Sequence, residues 1–188
     1  MRPMGQMRME PSDNSLVEAA LSGDGEAFTA LVLRHYDRIY RLAWRVLGSV
    51  ADAEDVAQDI CAALPGKLVS FRREARFTTW LHRIVLNAAR DRMRRKAVEH
   101  RRAEGWGEVE HLRRAEAAEA RAEQEWLVEA MQALAEPLRE TVALVLGEDL
   151  SHAEAGKVLG VTEGTISWRM SEVRKALRAM ATEERSAS

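Results

Sequence analysis

From Phe28 to Leu47 the positions Phe28, Leu31, Val32, His35, Ile39, Leu42, Val46 and Leu47 recur at three- and four-residue steps. That step is the period of one face of an α-helix, and it commits residues 26–47 to a single long helix with a buried side. Gly48 follows directly, as a helix-ending glycine should. The same period recurs on both sides. Leu16, Ala19 and Ala20 start a short helix that stops near Gly23-Asp24-Gly25. Val56, Ile60 and Leu64 lie four apart, behind a cap at Ser49 or Asp52 and ahead of a break at Pro65-Gly66. Ala, Leu, Glu and Arg dominate, and only four Pro and eleven Gly interrupt 188 residues. These residues favour helix.

Several classes of function are poorly served by this composition. A single cysteine, Cys61, excludes an internal disulfide and a zinc site built on several thiolates. Residues 1–14 lack the apolar segment of a secretory signal. The longest clear apolar run, Val142 to Leu146, is far short of the roughly 20 residues a membrane helix needs. His35, His82, His100, His111 and His152 are scattered, and no nucleophile–base set, carboxylate pair or metal cluster stands out. A soluble, cytoplasmic, all-α protein is expected, without membrane insertion, metal, cofactor or catalytic residues.

The formal net charge of −2 conceals blocks of opposite sign. Arg72 to Arg102 holds eleven Arg and Lys against three Asp and Glu, whereas Glu104 to Glu125 holds three basic against seven acidic residues. Placed on a helix, Arg76, Trp80, Arg83, Asn87, Arg90 and Arg94 form one stripe, and Phe77, Leu81, Ile84 and Ala88 form an apolar stripe for the core. A solvated helix face usually mixes signs; this stripe does not. Arg binds phosphate, Asn pairs with adenine edges and Trp stacks on unpaired bases. The plainer alternative is a charged face in water with Trp80 half-buried. The preceding loop carries Phe71-Arg72-Arg73, which either presents an aromatic to an extruded base or packs Phe71 beneath itself.

Periodicity fades near Ala97–Ala103, gives way to an acidic stretch around Gly105-Trp106-Gly107, and returns near Ala118. Trp126, Leu127, Ala130, Met131 and Leu134 form a helix that breaks at Pro137; Leu138, Val142, Val145 and Leu146 form another. Two more helices are predicted at about 151–159 and 162–180. Ser151 with Glu154 is a capping box, Gly160 ends the first of these helices, Val161 suits the corner and Thr162 caps the second. Ile166, Met170, Val173 and Leu177 form its apolar face. This is helix-turn-helix patterning, whose second helix enters the DNA major groove; an ordinary antiparallel helix pair is the alternative. The organisation is therefore an N-terminal arm (1–14), a helical bundle (15–100), a flexible acidic linker (101–119), a helix-turn-helix domain (120–181) and a tail (182–188).

Three separated segments carry a family resemblance: AFTALVLRHYDRIYRLAWRVLGSVADAEDVAQDI, FTTWLHRIVLNAARDRMRR and LSHAEAGKVLGVTEGTISWRMSEVRKALR. In this order and spacing they resemble the σ2 and σ4 domains of the extracytoplasmic-function (ECF) group of bacterial RNA polymerase sigma factors. The resemblance implies an alternative sigma factor that directs core polymerase to promoters and assists melting. By position it implies that Asp52, Asp55, Gln58 and Asp59 meet the β′ clamp helices. The acidic face has ordinary solvation as its alternative. The resemblance implies that Phe71, Arg72, Arg73, Arg76, Trp80, Arg83, Asn87, Arg90 and Arg94 serve the −10 element. It assigns Thr165, Ser167, Trp168, Arg169, Glu172, Arg174 and Lys175 to the −35 element, with the β flap a further polymerase contact. Members of the group often carry basic or small residues at the positions of Ser167 and Trp168 and a basic one at Glu172; a Glu there repels phosphate but accepts from a cytosine amine. An anti-sigma partner is implied as well. The rival is a free-standing helix-turn-helix regulator of duplex DNA, which has no use for the acidic face or the single-strand-suited stripe.

Overall fold

A computed structural model describes residues 11–103 and 120–187, with side-chain surroundings for 11–99 and 126–182. Among these residues the elements are all helices. Helix α1 spans Asp13–Leu21 and is capped by Ser12, whose side chain accepts from the Ser15 amide. Helix α2, Gly25–Leu47, starts at Asp24, whose carboxylate accepts from the Glu26 and Ala27 amides at 2.9 and 3.0 Å. It ends at Gly48, which adopts φ 69°, the left-handed conformation glycine reaches without steric cost. Leu31, Ile39, Leu42 and Val46 are fully buried along it, as the period predicts.

Helix α3, Val50–Leu68, is capped by Ser49 and runs through Pro65 instead of breaking there. The reason is the burial of Leu64 and Leu68 at 1% exposure each. Burying two leucines, at roughly 1.5–3 kcal/mol each, offsets the one helix hydrogen bond that proline forfeits. Helix α4 runs Phe77–Ala103. Its buried face is Phe77, Leu81, Val85, Leu86 and Ala89, whereas Ile84 and Ala88 are only partly buried. The apolar stripe is thus turned by about one residue from the expected one, because α4 packs against both α2 and α3.

Helices α5 (Ala120–Ala133), α6 (Glu136–Val145), α7 (His152–Leu159) and α8 (Glu163–Ala187) follow. Pro137 stands in the first turn of α6, where its missing amide hydrogen costs nothing. Leu146, expected on the buried face, is 63% exposed, while Thr141, Val142, Ala143 and Leu144 are all buried. Helix α6 is covered on more than one side, since it contacts α2 as well as α7 and α8. Three element ends differ from expectation. Helix α1 begins inside the stretch assigned to the arm, α4 extends into the stretch assigned to the linker, and α8 continues into the tail. The remainder of the expected arm and linker, residues 1–10 and 104–119, lies outside the described residues. The two helical groups share one hydrophobic core.

Candidate nucleic-acid interface

The basic stripe forms on α4. Arg76 sits just before the helix, where its carbonyl accepts from the Thr79 and Trp80 amides, and its side chain is 83% exposed. Arg83 and Asn87 are exposed, Arg90 is half-buried and Arg94 is exposed. Trp80 is half-buried, its ring 5.4 Å from those of Phe71 and Phe77. Phe71 itself is buried, edge-on to Phe77 at 5.5 Å, so the loop aromatic packs inward and is not offered to a base. The Phe71 amide closes a turn onto the Leu68 carbonyl, which drops the ring onto the start of α4. Burying a ring there, within an aromatic cluster, outweighs leaving it in water. Arg72 and Arg73 remain exposed; Arg73 has φ 59° and pairs with Glu18.

Much of this stripe meets the C-terminal helices. Arg90 donates to both oxygens of Glu140, at 2.6 and 2.7 Å, and to Asn87 Oδ1 at 3.2 Å. The bond to Glu140 holds the Arg90 guanidinium above its ordinary pKa despite burial. Arg83 donates to the Lys157 carbonyl, and Arg76 lies 3.5 Å from Glu154. Arg94 lies 3.8 Å from Asp91 on its own helix. Beside these contacts, Glu148 is buried between Arg38 (3.0 Å), Arg45 (2.7 Å) and His82 (3.4 Å). Burial pushes its carboxyl pKa up, but His82, Arg38 and Arg45 together hold it below the usual value.

The acidic face of α3 divides. Asp52 is 3% exposed, accepts from Arg92 Nε and Nη2 at 2.9 and 2.7 Å, and pairs with Lys96. Burial raises its pKa; Lys96, Arg92 and Ser49 outweigh that and lower it. Its carboxylate therefore braces α3 on α4 and is not presented to a partner. Asp55, Gln58 and Asp59 are exposed; Asp55 also reaches Arg92 at 2.9 Å.

The C-terminal pair has helix-turn-helix geometry. The Ser151 amide and hydroxyl donate to Glu154, whose own amide returns a bond to Ser151 Oγ. Gly160 turns at φ 70°, Val161 N donates to the Gly156 carbonyl at 3.0 Å, and Thr162 Oγ1 accepts from the Thr165 amide. A Cβ on Gly156 would stand 2.8 Å from the Val161 carbonyl oxygen, so the close turn requires a glycine. Ile166, Met170 and Val173 are buried as expected. Facing outward are Ser167, Trp168, Arg174 and Lys175, with Thr165, Arg169 and Glu172 half-buried. Trp168 stands 61% exposed. Ser167 bonds His152 at 2.9 Å, and Glu172 pairs with Lys175.

Two family descriptions match the chain: Sigma-70 region 2 over residues 31–99 and Sigma-70, region 4 over residues 130–179. The ECF RNA polymerase sigma factor SigM of Mycobacterium tuberculosis is 34% identical over 173 residues, 90% of this chain and 85% of that protein. The chain belongs to the ECF group of RNA polymerase sigma factors. Another relative, the ECF sigma factor SigW of Bacillus subtilis, is 28% identical over 90% of this chain and 97% of its own length. Among solved structures, CnrH in complex with the cytosolic domain of CnrY matches with TM-score 0.70 and 30% identity, over 92% of this chain and 99% of that one. A match to both regions, in order, decides against a free-standing regulator built on the helix-turn-helix alone.

Within this ECF sigma factor, Glu140 and Glu148 are the residues that sequence reasoning missed. Glu140 was detectable in principle. It sits in a run of buried residues, and a buried carboxylate requires a cation. Which cation answers it is decided by how the domains meet. Among the described residues no cluster of three metal-ligating side chains occurs, and no helix is long and apolar enough to cross a membrane.

Proposed function

We propose that this ECF sigma factor carries RNA polymerase core to its promoters from the cytoplasm, as a binding protein that needs no catalytic step. The exposed part of the α3 acidic face, Asp55, Gln58 and Asp59, meets the β′ clamp helices. The outer face of α4 holds unpaired −10 bases, and the helix α8 face around Ser167, Trp168, Arg169, Arg174 and Lys175 enters the −35 major groove, with Thr165 and Glu172 at its margin. Trapping flipped bases offsets unstacking, at a few kcal/mol per base, and phosphate contacts make affinity fall with salt. An anti-sigma factor is the natural regulator; CnrH, 30% identical, is found in complex with the cytosolic domain of CnrY.

The observation that carries the reading is the alignment of Arg83, Asn87, Arg90 and Arg94 on one side of α4, with Arg76 just ahead of it and the Trp80 cluster bracing its start. The −10 assignment is tested on Asn87 and Arg94, of which Arg94 pairs within α4 and Asn87 with Arg90 of the same helix. The double variant Asn87→Ala/Arg94→Ala should lower open-complex formation with core polymerase on a cognate promoter roughly ten-fold or more, at the ~1–3 kcal/mol of a base contact, without changing the melting temperature. Open complexes at the parent level would sink the −10 assignment.

A further inference from the structure

The loop that joins α3 to α4 is pinned at both ends and tethered once between them. The Ser70 and Phe71 amides close turns onto the Lys67 and Leu68 carbonyls, and the Arg76 carbonyl accepts from the Thr79 and Trp80 amides. Phe71 and Phe77 are buried and meet edge-on, so the two ends of the loop stand together. Among the described residues, the backbone of residues 72–75 enters no backbone hydrogen bond, and all four residues are exposed. The side-chain bond that holds this stretch is the pair of Arg73 with Glu18 of α1, 55 residues earlier. Glu18 is itself exposed, but Leu16 and Val17 beside it are buried and fix α1 on the core. Arg73 is also the residue at which the loop turns left-handed, at φ 59°.

Left-handed backbone crowds a Cβ against the following carbonyl, so it is unfavourable for any residue but glycine. Asn and Asp enter it more readily than other types. Arg73 has neither advantage, so a contact outside the loop must select its conformation. A surface ion pair contributes little to the stability of a whole domain. In a stretch with no other bond it can still choose between conformers, because it has only the strain of one residue to offset. The same pair commits the Arg73 guanidinium to α1. What residues 72–75 leave free are peptide N–H and C=O groups, the donors and acceptors that the edge of an extruded base requires. We propose that Glu18 is a positioning residue for −10 recognition: it holds Arg73, and through it residues 72–75, in the conformation whose free peptide groups read an extruded base. Arg73 acts on base preference through the backbone and is not itself a DNA contact. The reading of the base rests on the −10 assignment above; the tether does not.

The test uses the full chain with a nitroxide at Ala75→Cys, an exposed loop position, in a Cys61→Ser background. Glu18→Ala should shift most of the nitroxide spectrum from immobile to mobile, and the exchanged pair Glu18→Arg/Arg73→Glu should shift it back. A spectrum unchanged by Glu18→Ala overturns the tether without reference to DNA. In a second arm, core polymerase and each variant initiate on cognate promoters carrying every base at each −10 position. Glu18→Ala and Arg73→Ala should each cut discrimination at one −10 position roughly five-fold or more, the low end for a lost base contact, and leave the other positions within roughly two-fold. The melting temperature should not change, and the double variant should lose no more than either single one. Arg73→Asn, which enters the left-handed region readily without an ion pair, should keep discrimination near the parent level. Three results would mark Arg73 as a direct contact and overturn the proposal: a loss spread evenly over all positions, a loss in Arg73→Ala with none in Glu18→Ala, or equal losses in Arg73→Asn and Arg73→Ala. A loop loosened by Glu18→Ala with base preference intact overturns the reading role and leaves the tether. The −10 assignment itself stands or falls separately, with Asn87→Ala/Arg94→Ala.

Discussion

At the scale of residues, a carboxylate on one side of a helix faces solvent or core according to what packs opposite it. Asp52 shares its side of α3 with Val56 and Ile60 and is drawn inward, where Arg92 and Lys96 of α4 satisfy it. Asp59, seven residues on, remains exposed. Two substitutions of the same chemistry should therefore act on different quantities. Asp52→Asn should lower stability by about 2 kcal/mol, the scale of hydrogen bonds to a buried charge, seen as a melting temperature lower by about 4–8 °C. Asp59→Asn should leave the melt unchanged and weaken binding to core polymerase. A melt unaffected by Asp52→Asn would show that its ion pairs contribute nothing net. Phe71 follows the same logic: the sequence offered either base capture or inward packing, and contact with Phe77 and Trp80 selects the second.

Elements are governed by how closely backbones approach. Gly156 and Gly164 both lie in the helix-turn-helix and both are helical, so intrinsic propensity favours Ala at each by about 1 kcal/mol. Their surroundings separate them. A Cβ at Gly156 meets a backbone carbonyl oxygen at 2.8 Å, whereas at Gly164 the nearest atom is Thr162 Oγ1 at 3.8 Å, ordinary contact. Gly164→Ala should thus raise thermal stability slightly, and Gly156→Ala should lower it and weaken −35 duplex binding by splaying α7 from α8. Paired thermal melts of the two variants check this; a gain in both would mean that the turn tolerates the crowding. Pro65 teaches the converse. A helix breaker stays inside α3 because Leu64 and Leu68 on either side are buried.

Across the whole molecule, the acidic and basic blocks partly answer one another within the chain. Asp13, Asp52 and Glu148 all have carboxyl pKa values below the ordinary range: burial pushes each up, and the adjoining cations prevail. A lowered native pKa contributes stability in full above the unfolded value and loses it as pH falls through the native one. His35 acts in the same direction, since burial lowers its pKa against the pull of Asp13, so the unfolded chain takes up that proton more readily than the folded one. Stability should be level near neutrality, decline gently below about pH 6.5 as the unfolded chain takes up the histidine proton, and fall steeply below about pH 4. Denaturant melts across pH 3–8 check the profile. Maximal stability at pH 5 would contradict it.

Most of the helices, the caps at Ser151 and Thr162, the helix-ending glycines Gly48 and Gly160 and the outward face of α8 were legible from local pattern. Each depends on neighbours within a few turns, and the helical period reports those directly. The inward turn of Asp52 and Phe71, the rotation of the α4 buried face and the pairing of Arg90 with Glu140 were not. These depend on residues tens of positions apart, and a charge in a sequence does not name its counterion. The basic stripe of α4 could be read as a surface for polyanions from its spacing alone. That the chain's own C-terminal carboxylates cover part of that surface was decided by how the two helical groups came to share one core.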